Sequence, residues 1–167
     1  MMNVVCHDIR DDDRSVPVWC TREYVNYVVQ TTLQHSAVTF GASVEVAVVF
    51  VRDETIRALN AEHRGLDSPT DVLSFADAFA HRPARGVDNR HDGEPVPSSA
   101  ILGDIILSFS TIERYATMDG KDVHRAMTDT LSHGVLHLLG YDHSPMMFAI
   151  QDRVVEEIHN GEKSAHQ

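Results

Sequence analysis

Residues 121–143 read KDVHRAMTDTLSHGVLHLLGYDH, and this stretch decides the fold. Between Lys121 and Leu139 the positions Ala126, Met127, Thr130, Leu131, Val135, Leu138 and Leu139 populate one broad side of a helix, the strongest helical signal in the chain. Gly140 stands where such a helix stops. His133 and His137 are four residues apart on it, so their imidazoles project from one face, a turn apart. His143 follows six residues after His137, beyond the glycine turn, within reach of the same point. Two nitrogens from a helix and a third from the returning chain leave a fourth coordination position open. Structural zinc sites usually close all four positions, so the pattern predicts one catalytic Zn2+ per chain that activates water for hydrolysis.

The spacing equals that of the metzincin proteases, H-E-x-x-H-x-x-G-x-x-H, except that Gly134 replaces the glutamate general base. Loss of that base argues against peptide hydrolysis and leaves the general base unidentified. Asp142 reads equally as a turn residue and as an acceptor that orients a metal-bound histidine. Met146 and Met147 read as soft packing, in the core of a last helix or under the site. His7, His35, His124, His159 and His166 have no partner at ligand spacing, and His81 and His91 fall in a polar loop.

Working outward, Asn3–Cys6 reads as a short strand. Val25, Val28, Val29 and Leu33 follow helical spacing behind Thr21 as cap. Ser43–Val51 alternates and is rich in valine, which predicts a mostly buried strand. Asp53 is placed to cap a short helix through Ile56 and Leu59, ending near Asn60. The turn-rich segment His63–Asp71 then feeds the apolar run Val72–Phe75. Residues 77–99, rich in Pro, Gly, Asp, Arg and His, are expected to form a long mobile loop. Ile101–Ser108 reads as a strand in which Gly103 marks a bulge or a close approach. Helices are expected over Ser110–Met118 and Pro145–His159. The sum is a single α+β domain spanning 1–167, with a mixed sheet of about four strands packed with helices and the zinc site at the end of the long helix.

With 167 residues, 43% hydrophobic and 23% charged, the chain suits one soluble domain with its own core. Cys6 and Cys20 are too few and too far apart for a disulfide framework, so they read as packing residues of a reducing compartment. The first twenty residues lack a secretory apolar core, and Val44–Val51 is too short to span a bilayer. The expected location is the cytoplasm or an organelle matrix, with no membrane partner. The formal net charge of -11 disfavours wrapping of duplex nucleic acid, which releases counterions from a basic surface. Any nucleic-acid role needs a small local basic site or a partner that supplies one.

The block His133-Gly134-Val135-Leu136-His137-Leu138-Leu139-Gly140-Tyr141-Asp142-His143 resembles the H-G-x-L-H-L-x-G-Y-D-H signature of the YbeY endoribonucleases. Further blocks agree: Leu59-Asn60, Arg64-Gly65, Pro69 to Phe75, Leu102 to Ile105, and Met147-Phe148 with Gln151. The resemblance spans about residues 43–158. It implies a metal-dependent RNase for single-stranded RNA, acting on 16S rRNA 3′ ends and in ribosome quality control, with an rRNA precursor and the ribosome or small-subunit proteins as partners. It also implies that Arg64 is catalytic, holding the scissile phosphate. The chain departs from the pattern at His63, where an aromatic residue usually precedes the arginine, in a long 80–97 segment, and in the short link Ser144-Pro145. Two other readings stay open: a metal hydrolase of another substrate, and a ribosome-associated binding factor whose zinc is mainly structural.

Overall fold

The alternating valines of 43–50 become the second strand of the sheet, with Val44, Val46, Val48 and Phe50 all essentially inaccessible to water and the residues between them half-buried. Period-two burial is what a strand with one fully covered face requires. The computed structural model describes residues 3–10, 15–38, 43–77 and 99–164; nearly all of the expected loop at 77–99 lies outside them. In chain order the elements are β1 (Asn3–Arg10), α1 (Arg22–His35), β2 (Ser43–Phe50), α2 (Asp53–Arg64), β3 (Val72–Ala76), β4 (Ser99–Leu107), α3 (Phe109–Met118), α4 (Val123–Leu138) and α5 (Pro145–Ser164).

The sheet runs β1-β2-β4-β3. β1, β2 and β4 are parallel, and β3 lies antiparallel to β4 on the outer edge. The α+β class and the mixed four-stranded sheet are as expected. β1 extends four residues past the expected end at Cys6, because it pairs with β2 over its whole length, from Asn3↔Ser43 to Arg10↔Phe50. Its polar end is held by Arg10, whose guanidinium donates two 2.9 Å bonds to Asp8 and one of 2.5 Å to the Cys20 carbonyl. Gly103 is both things expected of it. The β2–β4 register slips beside it, and a Cβ there would sit 2.1 Å from the Phe75 carbonyl oxygen.

α4 is the hub, touching α1, α3, α5, β3 and β4. Met127, Leu131, Val135 and Leu136 on it are fully buried. Burying each such side chain contributes about 1.5–3 kcal/mol. Asp122 caps the helix by accepting the Arg125 N–H at 2.9 Å, and Thr21 and Ser108 cap α1 and α3 in the same way. On the other face of the sheet a smaller cluster joins Ile56 and Leu59 of α2 to Val49, Leu73, Phe75 and Ile106.

α2 corrects two expectations. The cap position is Arg52, and Asp53 is the first helical residue. The Asp53 carboxylate instead crosses to α3, accepting bonds from the Ser108 and Thr111 hydroxyls and from Arg114. The helix also runs to Arg64, one turn past Asn60, and closes at Gly65, with Leu66 N–H donating to the Asn60 carbonyl at 3.3 Å. Ala61 to Arg64 make an almost entirely polar last turn, which an apolar period cannot reveal. α5 likewise runs past His159 to Ser164.

Candidate metal centre

Gly134 sets the height of α4 over the sheet. A Cβ there would meet the Ile105 side chain at 2.9 Å and the side chains of Ser74 and Val72 at 3.3 Å. The Ser74 hydroxyl also donates to the Gly134 carbonyl at 3.2 Å. The helix thus lies directly on β3 and β4 at the residue after His133. Any side chain at 134 would force Ile105, and to a lesser degree Ser74 and Val72, to shift.

α4 ends at Leu138, and Gly140 takes φ +82°, the left-handed turn that favours glycine. The turn is locked when Tyr141 N–H donates to the Leu136 carbonyl at 3.0 Å. The Tyr141 ring is buried, and its hydroxyl accepts the Ala37 N–H at 3.0 Å, which ties the turn to the end of α1. His143 comes next, and Ser144 caps α5, accepting the Met147 N–H on its hydroxyl and the Phe148 N–H on its carbonyl. Pro145 suits the first helical position that follows.

The three imidazoles converge on one point. Their Nε2 atoms are 2.9 Å apart for His133 and His137, and 3.2 Å apart for each pair that includes His143. Tetrahedral zinc with Zn–N bonds of about 2.0–2.1 Å places its nitrogens about 3.3 Å from one another, so the cage fits such an ion. The far side of two rings fixes their tautomers. His133 Nδ1–H donates to Gln151 Oε1 at 3.1 Å, while Gln151 Nε2 donates to Asp129 Oδ1 at 2.8 Å, which orients the amide. His137 Nδ1–H donates to the Tyr141 carbonyl at 2.9 Å. In the neutral form of either ring the inward nitrogen is then a lone pair aimed at the shared point, as metal ligation requires. Burial, and then the neighbouring His133, hold the His137 imidazole below its ordinary value against the pull of the Tyr141 carbonyl, which favours the neutral form that ligates a metal. Among the described residues this is the one group of three or more His, Cys, Asp or Glu side chains able to share an ion.

The group opens into a groove of about 1020 Å³ between β3 and α4, lined by Thr70 to Ala76, by the three histidines and by Arg64. Arg64 and the histidines, far apart in sequence, thus share one cavity. Thr70 and Ser74 line it too, although their hydroxyls are engaged, with Asp71 and the Gly134 carbonyl respectively. Asp142 is exposed in the turn, and the acceptors on the histidine N–H groups are Gln151 and a backbone carbonyl. Met147 is core and Met146 is exposed. His63 packs edge-on against Phe75, with ring centroids 4.8 Å apart.

Gln151 and Asp129 carry no site role in the sequence reading. Gln151 is a buried polar residue among Met147, Ile150, Val154 and Ile158, and Asp129 stands four residues before His133; those placements are the signal they leave. Elsewhere, His124 and His159 meet edge-on at 4.8 Å beside Trp19 and Tyr24, a packing pair that sequence spacing cannot show. Burial raises the Cys6 thiol to about 11 and the Cys20 thiol to about 12, as expected of packing residues.

Fold and site together define an α+β domain with a three-histidine group that can hold one metal ion and leaves it an open face. A sequence profile described as endoribonuclease YbeY matches residues 8–159. A protein named endoribonuclease YbeY from Heliobacterium modesticaldum is 43% identical over 68% of this chain and 66% of its own length. Another of that name, from Magnetococcus marinus, is 39% identical over 70% of this chain and 76% of its own. The chain belongs to the YbeY endoribonuclease family. The solution structure of a Thermotoga maritima protein shares the fold, with a TM-score of 0.59 at 24% identity over 96% of this chain and 93% of that one.

Proposed function

We propose that the chain is a single endoribonuclease domain that hydrolyses single-stranded RNA with one zinc ion held by His133, His137 and His143. The observation that carries this reading is the convergence of three Nε2 atoms within 3.2 Å, two of them on rings with acceptors behind them. A divalent ion bound there supplies Lewis acidity toward water and toward a phosphate oxygen. In the net reaction the oxygen of water bonds to phosphorus, the phosphoester P–O bond breaks, and the leaving ribose oxygen takes a proton.

Arg64, on the rim of the same groove, holds the scissile phosphate with its guanidinium fork and offsets the charge that develops on it. Gly134, where a protease of this spacing carries its glutamate base, speaks against a protease, and the half-exposed cage speaks against a purely structural ion. Family membership supports a role in maturing 16S rRNA 3′ ends and in ribosome quality control, with ribosome or small-subunit contacts, in the cytoplasm or an organelle matrix. No helix among the described residues is long and apolar enough to cross a membrane.

The test is elemental analysis of the purified protein combined with cleavage of a single-stranded rRNA precursor. One equivalent of zinc and chelator-sensitive cleavage are expected. His137→Ala should lose both, and metal-dependent cleavage retained in that variant would falsify the assignment. Arg64→Ala should keep the zinc and lose cleavage by about a hundredfold or more.

A further inference from the structure

Phe148 is an aromatic side chain displayed beside the cage. It lies in the first turn of α5, is 47% exposed, and its ring is within 7° of parallel to the His143 imidazole, with centroids 6.2 Å apart. His143 in turn lies within 27° of parallel to His133. A run of near-parallel rings therefore leads from the metal ligands to solvent and ends in an apolar face. Its neighbour Met147 takes the buried position in the same turn. The Phe148 N–H is bonded to the Ser144 carbonyl at 3.1 Å, so the ring stands on a capped, ordered turn.

The charge of the chain says what such a ring would serve. The chain has a formal net charge of -11, and Arg64 is the only lysine or arginine among the described residues lining the groove, so the groove offers few partners for phosphate contacts. Stacking on an aromatic face is independent of charge and accepts any base. Resting on the RNA reading above, we infer that Phe148 is a stacking platform for a base flanking the scissile phosphate, and that single-stranded RNA is held here more by stacking than by counterion release.

The experiment measures binding by fluorescence anisotropy on the zinc-loaded full chain, with a labelled single-stranded RNA carrying phosphorothioate linkages to slow cleavage. Phe148→Ala should weaken binding about tenfold with unchanged zinc content and circular dichroism, and Phe148→Trp should restore it. Emission of the Phe148→Trp variant, above the Trp19 background, should be quenched as RNA saturates. A strand lacking bases should bind the unaltered protein no better than the intact strand binds Phe148→Ala. The affinity should fall with salt with a log–log slope of only about -0.7 to -1.4, as for one or two phosphate contacts. Unchanged affinity in Phe148→Ala, unquenched emission, or a slope several times steeper would overturn the platform while leaving the nuclease reading intact. Failure of the unaltered protein to bind the intact strand would overturn both.

Discussion

His133 and His137 can each present a lone pair to an ion only while their outer N–H groups stay bonded. For His133 that duty falls on Gln151, itself held by Asp129. Replacing Gln151 with methionine keeps the volume and removes the acceptor, so the ring is free to adopt the other tautomer. Zinc affinity should fall about 10–100-fold, read by competition with a chromophoric chelator. Asp142→Asn should stay close to the unaltered protein; a larger loss from Asp142 than from Gln151 would reverse the roles assigned here. The three converging histidines were legible in the sequence because helical spacing and a glycine turn are local facts. Gln151 was legible only as part of a family block, since its role depends on how α5 lies on α4. The Tyr141 acceptor is a backbone carbonyl, and no residue type announces that.

Between elements, Asp53 joins α2 to α3. Burial disfavours its charged form, but the bonds from Ser108, Thr111 and Arg114 prevail and hold the carboxyl below its ordinary value. A carboxylate whose folded value is depressed binds fewer protons folded than unfolded. It therefore contributes stability above the unfolded value, about pH 4, and that contribution is lost as pH falls through the lower folded value. Asp53→Ala leaves the buried hydroxyls of Ser108 and Thr111 without their acceptor and should cost about 1–3 kcal/mol at neutral pH. In urea titrations the gap between the two proteins should narrow as pH drops below about 4; a gap that stays constant down to pH 2 would mean the carboxylate charge does not matter. Helix α4 was legible in the sequence because its apolar side is broad and its ends are marked by Asp122 and Gly140. The last turn of α2 and the outer half of β1 were not. One is almost entirely polar on a solvent face, and the other is ordered by a partner strand some forty residues away.

For the molecule as a whole, the α+β class could be read from the sequence and the strand order could not. β4 inserts between β2 and β3, and nothing local to any strand records which neighbour it will meet. An ion held by the proposed histidine cage would be coupled to the core of α4, so removing it should be felt globally. An ion present at a hundredfold excess over its dissociation constant contributes about 2.7 kcal/mol to stability. For a domain of this size that corresponds to a melting temperature lower by roughly 5–10 °C in chelator. Scanning calorimetry with and without EDTA should show the shift in the unaltered protein and none in His137→Ala. Equal shifts in the two would locate the stabilising ion elsewhere.

The three histidines fall within eleven consecutive residues, 133–143, after every strand of the sheet in the chain. During synthesis every strand of the platform is therefore made before the first of the three histidines. Capturing the ion closes only a very short loop, at small entropic cost, but the acceptor behind His133 is made later still, in α5. An ion taken up by this group would thus meet a finished site only late in synthesis, and a protein stalled before residue 151 would carry its histidines without the group that aims the first of them.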